Sequence, residues 1–237
     1  MIKATSAFSL HPSSFILWPL VKRIIVIERE FGAGAGAIAD KIARRLGWKL
    51  LDHALTAEIA QLAKVSPETC QRREERVDSW TYRLAKVFWR GSHERSVVLP
   101  DADIIDADRL IRLTQQVIER AAAQGQCVIV GRAAAYFLRE RADRFSVFLY
   151  APPDYKYRRV LAEVNNEQEA RQLVETVDQE RKAFIRHYFN TEFPLRHFYD
   201  AMLNTVIGED ATVETILSLL DAANRRETPP NETFLDN

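Results

Sequence analysis

Residues 24–52 read IIVIEREFGAGAGAIADKIARRLGWKLLD, and the fold is decided in this stretch. Ile24, Ile25, Val26 and Ile27 form an unbroken β-branched run, which predicts a strand buried on both faces, the habit of a parallel sheet. Gly32, Gly34 and Gly36 then alternate with alanine through a loop. Beyond the loop Ile38, Ile42 and Leu46, with Ala39 and Ala43 beside them, recur at helical spacing, and Gly47 supplies the stop. Leu50 and Leu51 open a second strand that ends at Asp52. A strand, a glycine loop and a helix start in that order bring free backbone N–H groups and the positive end of a helix dipole to one point. Such a point binds anions, most often phosphate.

Outward from this stretch, the 237 residues, 47% of them hydrophobic, suffice for a sizeable core, and length favours one α/β domain carrying an insertion over two domains. Lys and Arg together number 33, as do Asp and Glu, so the formal charge is zero. A binder of duplex DNA or RNA, or of a membrane surface, would carry a basic excess, and neither is the reading here. Cys70 and Cys127 are too few for a disulfide scaffold or a thiolate zinc site and fit a reducing compartment, so the expected location is cytoplasmic. No apolar run reaches transmembrane length. Residues 1–20 hold Lys3 as their early charge and are interrupted by His11-Pro12, which predicts a disordered extension or an over-long start rather than a signal sequence.

After Asp52 a helix is expected over about Thr56–Lys64, and Ser66-Pro67 signals another helix start. Arg72 to Arg76 read as a solvated face, and Trp80, Tyr82, Phe88 and Trp89 as an aromatic segment. Core packing or a homodimer contact accounts for those aromatics, with nucleobase stacking as the sharper alternative. From Asp108 a helix carries Leu110, Leu113, Val117 and Ala121 on one stripe and stops at Gly125. A third strand, Cys127–Val130, runs straight into Gly131-Arg132, and a fourth covers Ser146–Tyr150. Pro152-Pro153-Asp154 announce a helix containing Arg158 and Arg159. Asn166 with Glu169 is a capping signature for the next helix, whose apolar stripe from Ala170 to Tyr188 contains Arg181 where a core residue should stand. A last strand is expected over Met202–Ile207, then a helix with Val213, Ile216, Leu217 and Leu220 inward, and a disordered polar tail past Asn224. Strands interleaved with helices in this way predict a parallel sheet covered on both faces.

Two chemistries compete for the loop. Gly32, Gly34 and Ala37 satisfy the dinucleotide pattern G-x-G-x-x-A, and Asp52 closes the second strand close to where a ribose-binding acid belongs. Against that, Glu28-Arg29-Glu30-Phe31 stand between the apolar run and the first glycine, and residues 53–126 delay the third strand well beyond a dinucleotide half-fold. The other chemistry is a phosphate-cradling P-loop, although the chain lacks G-x-x-x-x-G-K-[ST]. Residues 24–52, down to Leu46-Gly47-Trp48 and Leu50-Leu51-Asp52, together with VIVGR at 128–132, FLYAP at 148–152, Asp178-x-x-Arg181 and YDAMLNT at 199–205, resemble the cytidylate kinase-like family. These are relatives of the bacterial cytidylate kinases among P-loop nucleoside monophosphate kinases, and the resemblance covers about residues 21–222.

The resemblance implies a three-layer α/β P-loop fold with a five-stranded parallel sheet. It implies a helical acceptor-side insertion at about 53–107 and a lid region at about 153–198. It also implies nucleotide ligands, ATP and Mg²⁺ as cofactors, and ATP-dependent phosphorylation of a nucleotide or similar small acceptor. Gly32, Ala33, Gly34, Ala35, Gly36 and Ala37 would cradle phosphate through backbone N–H groups. The lysine of the true kinases falls on Ala35. The family's S-R-E-Y-G-S-G-G-R agrees at Arg29-Glu30-Phe31-Gly32 and departs at Gly36, where the family has arginine. Cations must therefore come from elsewhere, and Arg29 at the loop mouth, Arg132 and Arg181 are the expected catalytic residues. By resemblance Arg132 grips the acceptor, and Arg158, Arg159, Asp178 and Arg181 belong to the lid; Asp52, the one acid at a strand end beside the loop, either holds Mg²⁺ through water or binds the acceptor. Plainer roles compete with these: solvated charge for Arg158 and Arg159, an i,i+3 surface pair for Asp178 and Arg181, and an N-cap for Asp52. Asn204-Thr205 either contacts the donor base or ends its strand. The loop without cations leaves a second function open, a catalytically silent nucleotide-binding module.

Overall fold

The computed structural model describes residues 21–52, Glu58 and residues 107–227. The expected extension at 1–20, the body of the insertion with its helices and aromatics, and residues 228–237 lie outside them. At the centre stands β1 (Ile24–Arg29) in a five-stranded sheet of order β2-β3-β1-β4-β5, where β2 is Lys49–Leu51, β3 is Cys127–Val130, β4 is Arg144–Tyr150 and β5 is Ala201–Asn204. Every neighbouring pair is parallel, with Ile27 in register with Val130 on one side and Val147 on the other. The connections run through α1 (Ala35–Leu46), α2 (Ala107–Gln124), α3 (Ala134–Phe137), α4 (Pro153–Val164), α5 (Glu167–Phe189) and α6 (Glu209–Glu227).

Alternation along β1 divides the core. Ile24 and Val26 pack with Val117 and Ile118 of α2 and with Phe184 and Ile185 of α5, whereas Ile25 and Ile27 pack with Ile38 and Ile42 of α1 and with Val213 and Ile216 of α6. The result is three layers, and because β1 is covered on both faces its whole length is buried. Each of those isoleucines contributes about 1.5–3 kcal/mol by leaving water. A smaller cluster joins α4 and α5 to the loop after β1, with Phe31 packed among Val160, Ala170 and Val177. Among the described residues no helix is long and apolar enough to cross a membrane.

Several boundaries differ from the sequence reading. β1 extends through Glu28 and Arg29, so two charged residues are buried in a strand that hydropathy ends at Ile27. The strand expected over Met202–Ile207 stops at Asn204, whose side chain accepts the Val206 N–H at 3.2 Å and turns the chain into a 3-10 helix over Thr205–Ile207. Residues 225–227, expected to be disordered, continue α6, since the first proline comes only at 229 and Arg225 pairs with Asp221 one turn back. The capping signature is present: Asn166 accepts the Glu169 N–H at 3.0 Å.

Candidate functional site

The glycine loop leaves the C-terminal end of β1 and turns into α1 at Gly34, whose left-handed backbone (φ 79°) forms the N-cap. Gly34 has no side chain to bond the helix start, and no acid stands in the first turn, an arrangement able to take an anion. Both loop glycines are also closely approached from α4. A Cβ on Gly32 would lie 3.0 Å from the carbonyl oxygen and Cβ of Lys156 in α4, and one on Gly34 would lie 2.9 Å from the guanidinium carbon of Arg159. Ala35 is 3% exposed and packs in the core between sheet and α1.

The mouth of this loop is clamped by α5. The Asp178 carboxylate accepts the Phe31 N–H at 2.8 Å, Arg181 Nη1 at 3.2 Å and Lys156 Nζ at 3.3 Å. Lys156 also reaches Glu30 at 2.9 Å, and Arg181 donates to the Arg29 carbonyl at 3.1 Å. Burial works against the Lys156 ammonium, yet its two carboxylate partners hold its pKa above the ordinary value. Asp178 and Arg181 are thus a buried staple between α5 and the loop, and the alternative of an i,i+3 surface pair does not hold.

Across the end of β1 lies a second charged centre. Gly131, Arg132 and Ala133 all adopt left-handed backbone (φ 65°, 56° and 54°), a turn held by Gly131 N–H to Ile27 O at 2.9 Å and Ala134 N–H to Gly131 O at 3.0 Å. The turn buries Arg132, 4% exposed, where its Nη2 meets the Asp52 carbonyl at 3.4 Å. The Arg29 side chain lies over Gly131, so closely that any Cβ there would overlap its guanidinium. Burial, and also the charge of Arg29, lower both Arg132 and Arg181 to about 10. Arg29 therefore acts electrostatically on Arg132 and Arg181 together, and the Asp52 and Asp178 charges partly offset it. Glu28, 4% exposed, sits beneath them. Burial raises its pKa against the opposing pull of Arg29 and Arg181, and one of its oxygens has no hydrogen-bond partner among the described residues.

A backbone anion cradle and a buried arginine cluster at the same ends of β1 and β3 suit phosphate chemistry, and comparison agrees. The pattern of the cytidylate kinase-like family matches residues 24–206. The chain belongs to the cytidylate kinase-like family. Two cytidylate kinases of Pseudomonas aeruginosa are similar to this family member at 30% identity: strain LESB58 over 131 residues, 54% of this chain and 52% of the relative, and strain UCBPP-PA14 over 123 residues, 51% of each. The chain thus spans about half the length of these relatives. Among solved structures, an uncharacterized protein from Eubacterium ventriosum ATCC 27560 superposes with TM-score 0.60 at 21% identity, covering 84% of this chain and 98% of the other. A gluconokinase from Sinorhizobium meliloti 1021 superposes with TM-score 0.50 at 16% identity, covering 87% and 95%. The fold is the three-layer α/β fold of P-loop kinases.

Within this cytidylate kinase-like fold the expected site residues separate. Gly32 to Ala37 form the loop and first turn of α1; Arg29, Arg132 and Asp52 are buried at the strand ends; Asp178 and Arg181 of α5 meet at the loop mouth. Arg159 faces Gly34, whereas its neighbour Arg158 is exposed. Two further residues at the site escape a reading of the sequence. Glu28 reads there as part of a linker, and its one signal is that it directly continues a buried strand. Lys156 carries no such signal, because its burial comes from packing against Gly32. Cys127 is a core residue whose thiol burial pushes up to about 11, as expected of a packing cysteine. No cluster of metal-ligating side chains occurs among the described residues.

Proposed function

We propose that this chain transfers the γ-phosphoryl group of ATP to a nucleotide or similar small anionic acceptor, in the manner of nucleoside monophosphate kinases. The observation that carries the reading is the pairing of two anion sites of different kind: a backbone cradle at the start of α1, and the Arg29–Arg132 cluster one strand away. The cradle suits the donor, since N–H groups and the helix dipole bind phosphate without needing a loop side chain. The cluster suits the acceptor, because guanidinium groups that repel one another in a buried site gain most from an anion placed between them.

In that arrangement an acceptor oxygen attacks the γ-phosphorus, the bond to the bridging oxygen breaks, and ADP leaves with the electron pair. Arg132 orients the acceptor, Arg29 and Arg181 neutralise the charge that spreads over the transferring oxygens, and the packed α4 and α5 exclude water. Magnesium, when bound, shields the phosphate charges. The described residues offer it the strand-end carboxylate Asp52 and, with Gly36 in the first turn of α1, no hydroxyl there, so the nucleotide's own phosphates would be its main ligands.

A second reading, a silent nucleotide-binding module, is favoured by one observation: Ala35 and Gly36 leave the loop without a cation. Single-turnover assays with γ-labelled ATP and a panel of nucleoside monophosphates separate the two. Labelled product from the native protein is expected. Its absence, with ATP binding shown independently, would leave the silent module standing.

A further inference from the structure

Two carboxylates at the loop mouth are committed: Asp178 accepts from Phe31, Arg181 and Lys156, and Glu30 pairs with Lys156. Glu28 differs. By alternation it lies on the Ile24 and Val26 face of β1, toward α3 and α5, and its ladder partner in β4 is Phe148. The groups that face it there are Arg29 of β1, Arg181 of α5, the Ala134 and Ala135 N–H groups and the Tyr136 phenol of α3, and the Tyr199 phenol ahead of β5. Although Glu28 is 4% exposed, its Oε1 has no hydrogen-bond partner among the described residues. Burial disfavours the charged form and the two guanidinium groups favour it, so the balance is open to a third charge. Burial first, and the charge of Glu28 as well, raise both phenols, while Arg181 stays cationic up to about 10. Of these groups Glu28 is therefore the one left to exchange a proton near neutral pH.

We propose that Glu28 is the resident counter-charge of the arginine cluster and yields to the ligand: an anion reaching Arg29 and Arg181 displaces it as their partner, and Glu28 takes one proton from solvent. Two negative charges over shared guanidinium groups in a buried site do not both stay ionised, and the carboxylate is the one with a proton to gain. One O–H bond forms, none breaks, and the idle oxygen becomes a hydroxyl able to donate. Glu28 is thus a positioning residue acting through the arginines, and the ligand class is a strong-acid anion such as sulfate or a phosphate ester. The proposal rests on the anion site of the phosphoryl-transfer reading and not on the transfer itself. It adds that binding consumes a proton, so affinity falls as pH rises.

Sulfate is the probe, because it does not itself titrate in the range used. Calorimetric titration of the full chain with sulfate, in pairs of buffers of different ionisation heat, counts the protons taken up. Native protein should approach one proton per sulfate where Glu28 is ionised before binding and protonated after it, with affinity falling by up to roughly 10-fold per pH unit across that window. Glu28→Gln, whose amide is neutral at every pH, should lose that uptake and flatten the pH dependence, and should bind sulfate more tightly than native at the alkaline end. A purely structural role would change affinity alike at every pH and leave the proton count unmoved. Equal uptake in native and Glu28→Gln, or sulfate binding with no uptake anywhere between about pH 5 and 9, overturns the proposal and leaves phosphoryl transfer to the labelled-ATP assay. A native protein that binds no sulfate overturns it as well. Should Glu28→Gln not fold, carbon-13 NMR of the glutamate carboxyl groups in native protein decides. One resonance whose titration midpoint rises on adding sulfate supports the proposal, and none that moves overturns it.

Discussion

Arg132 occupies a backbone conformation that costs a non-glycine residue about 1–2 kcal/mol, and Ala133 repeats it. Such a turn persists because the chain on both sides holds it, and its effect is to bury a guanidinium at the end of β3 beside Arg29. If that guanidinium grips the acceptor phosphate, Arg132→Ala weakens a monophosphate ligand by roughly 10- to 100-fold while ATP affinity changes little. Titrating each ligand separately checks this, and equal loss of both would move Arg132 to a general structural role. Glu28 supplies a pH-dependent prediction. Its folded-state pKa lies above the ordinary 4.5, chiefly through burial, so the folded protein holds that proton more tightly than the unfolded chain. Below 4.5 both states are protonated and the site is neutral to stability. Above 4.5 stability falls as pH rises, until the folded pKa is passed. Glu28→Gln removes this penalty, so its stability relative to native should be greater at about pH 7 than at about pH 4 in urea denaturation. A difference that does not vary with pH would mean that Glu28 titrates alike in the folded and unfolded states, and one that grows toward low pH that it stays ionised under its arginines.

At the scale of elements, α4 and α5 form a hairpin docked on the loop after β1. Phe31 enters their small core, Lys156 packs backbone against Gly32, and Asp178 joins α5 to the loop through Phe31, Arg181 and Lys156. Removing Asp178 would strand the buried Arg181 charge and a backbone N–H together. Asp178→Ala is therefore expected to cost about 3 kcal/mol in chemical denaturation, the scale of breaking one side of a buried pair. Hydrogen exchange should then quicken in α4 and α5 before it does in β1. A loss below about 1 kcal/mol would return the pair to the surface class. Helix boundaries within the hairpin are legible in the sequence, because Pro153 starts α4 and Asn166 caps α5 through chemistry confined to neighbouring residues. The clamp is not legible there, because it joins residue 31 to residue 178.

For the whole molecule, the described residues build one sheet with β1 at its centre and bury a small group of charges, Glu28, Arg29, Asp52, Arg132, Lys156 and Arg181, toward one end of that sheet. The sequence by itself determined the strand, glycine loop and helix at 24–52, the later strands at Cys127 and before Tyr150, and the stripes of α1 and α5. These follow from periodicity, turn residues and caps, which act over a few positions. Tertiary structure alone decided that β1 carries Glu28 and Arg29 inside, since only the neighbours Phe148 and Leu149 in β4 extend the ladder past the apolar run. It also decided between Arg158 and Arg159, which are adjacent in sequence and alike in chemistry. The rotation of α4 about its axis is set by Lys156 packing on Gly32 and Val160 on Phe31, and that rotation turns Arg159 to the loop and Arg158 to water. Which buried charges meet depends on such packing between distant segments, and no local pattern of residues encodes it.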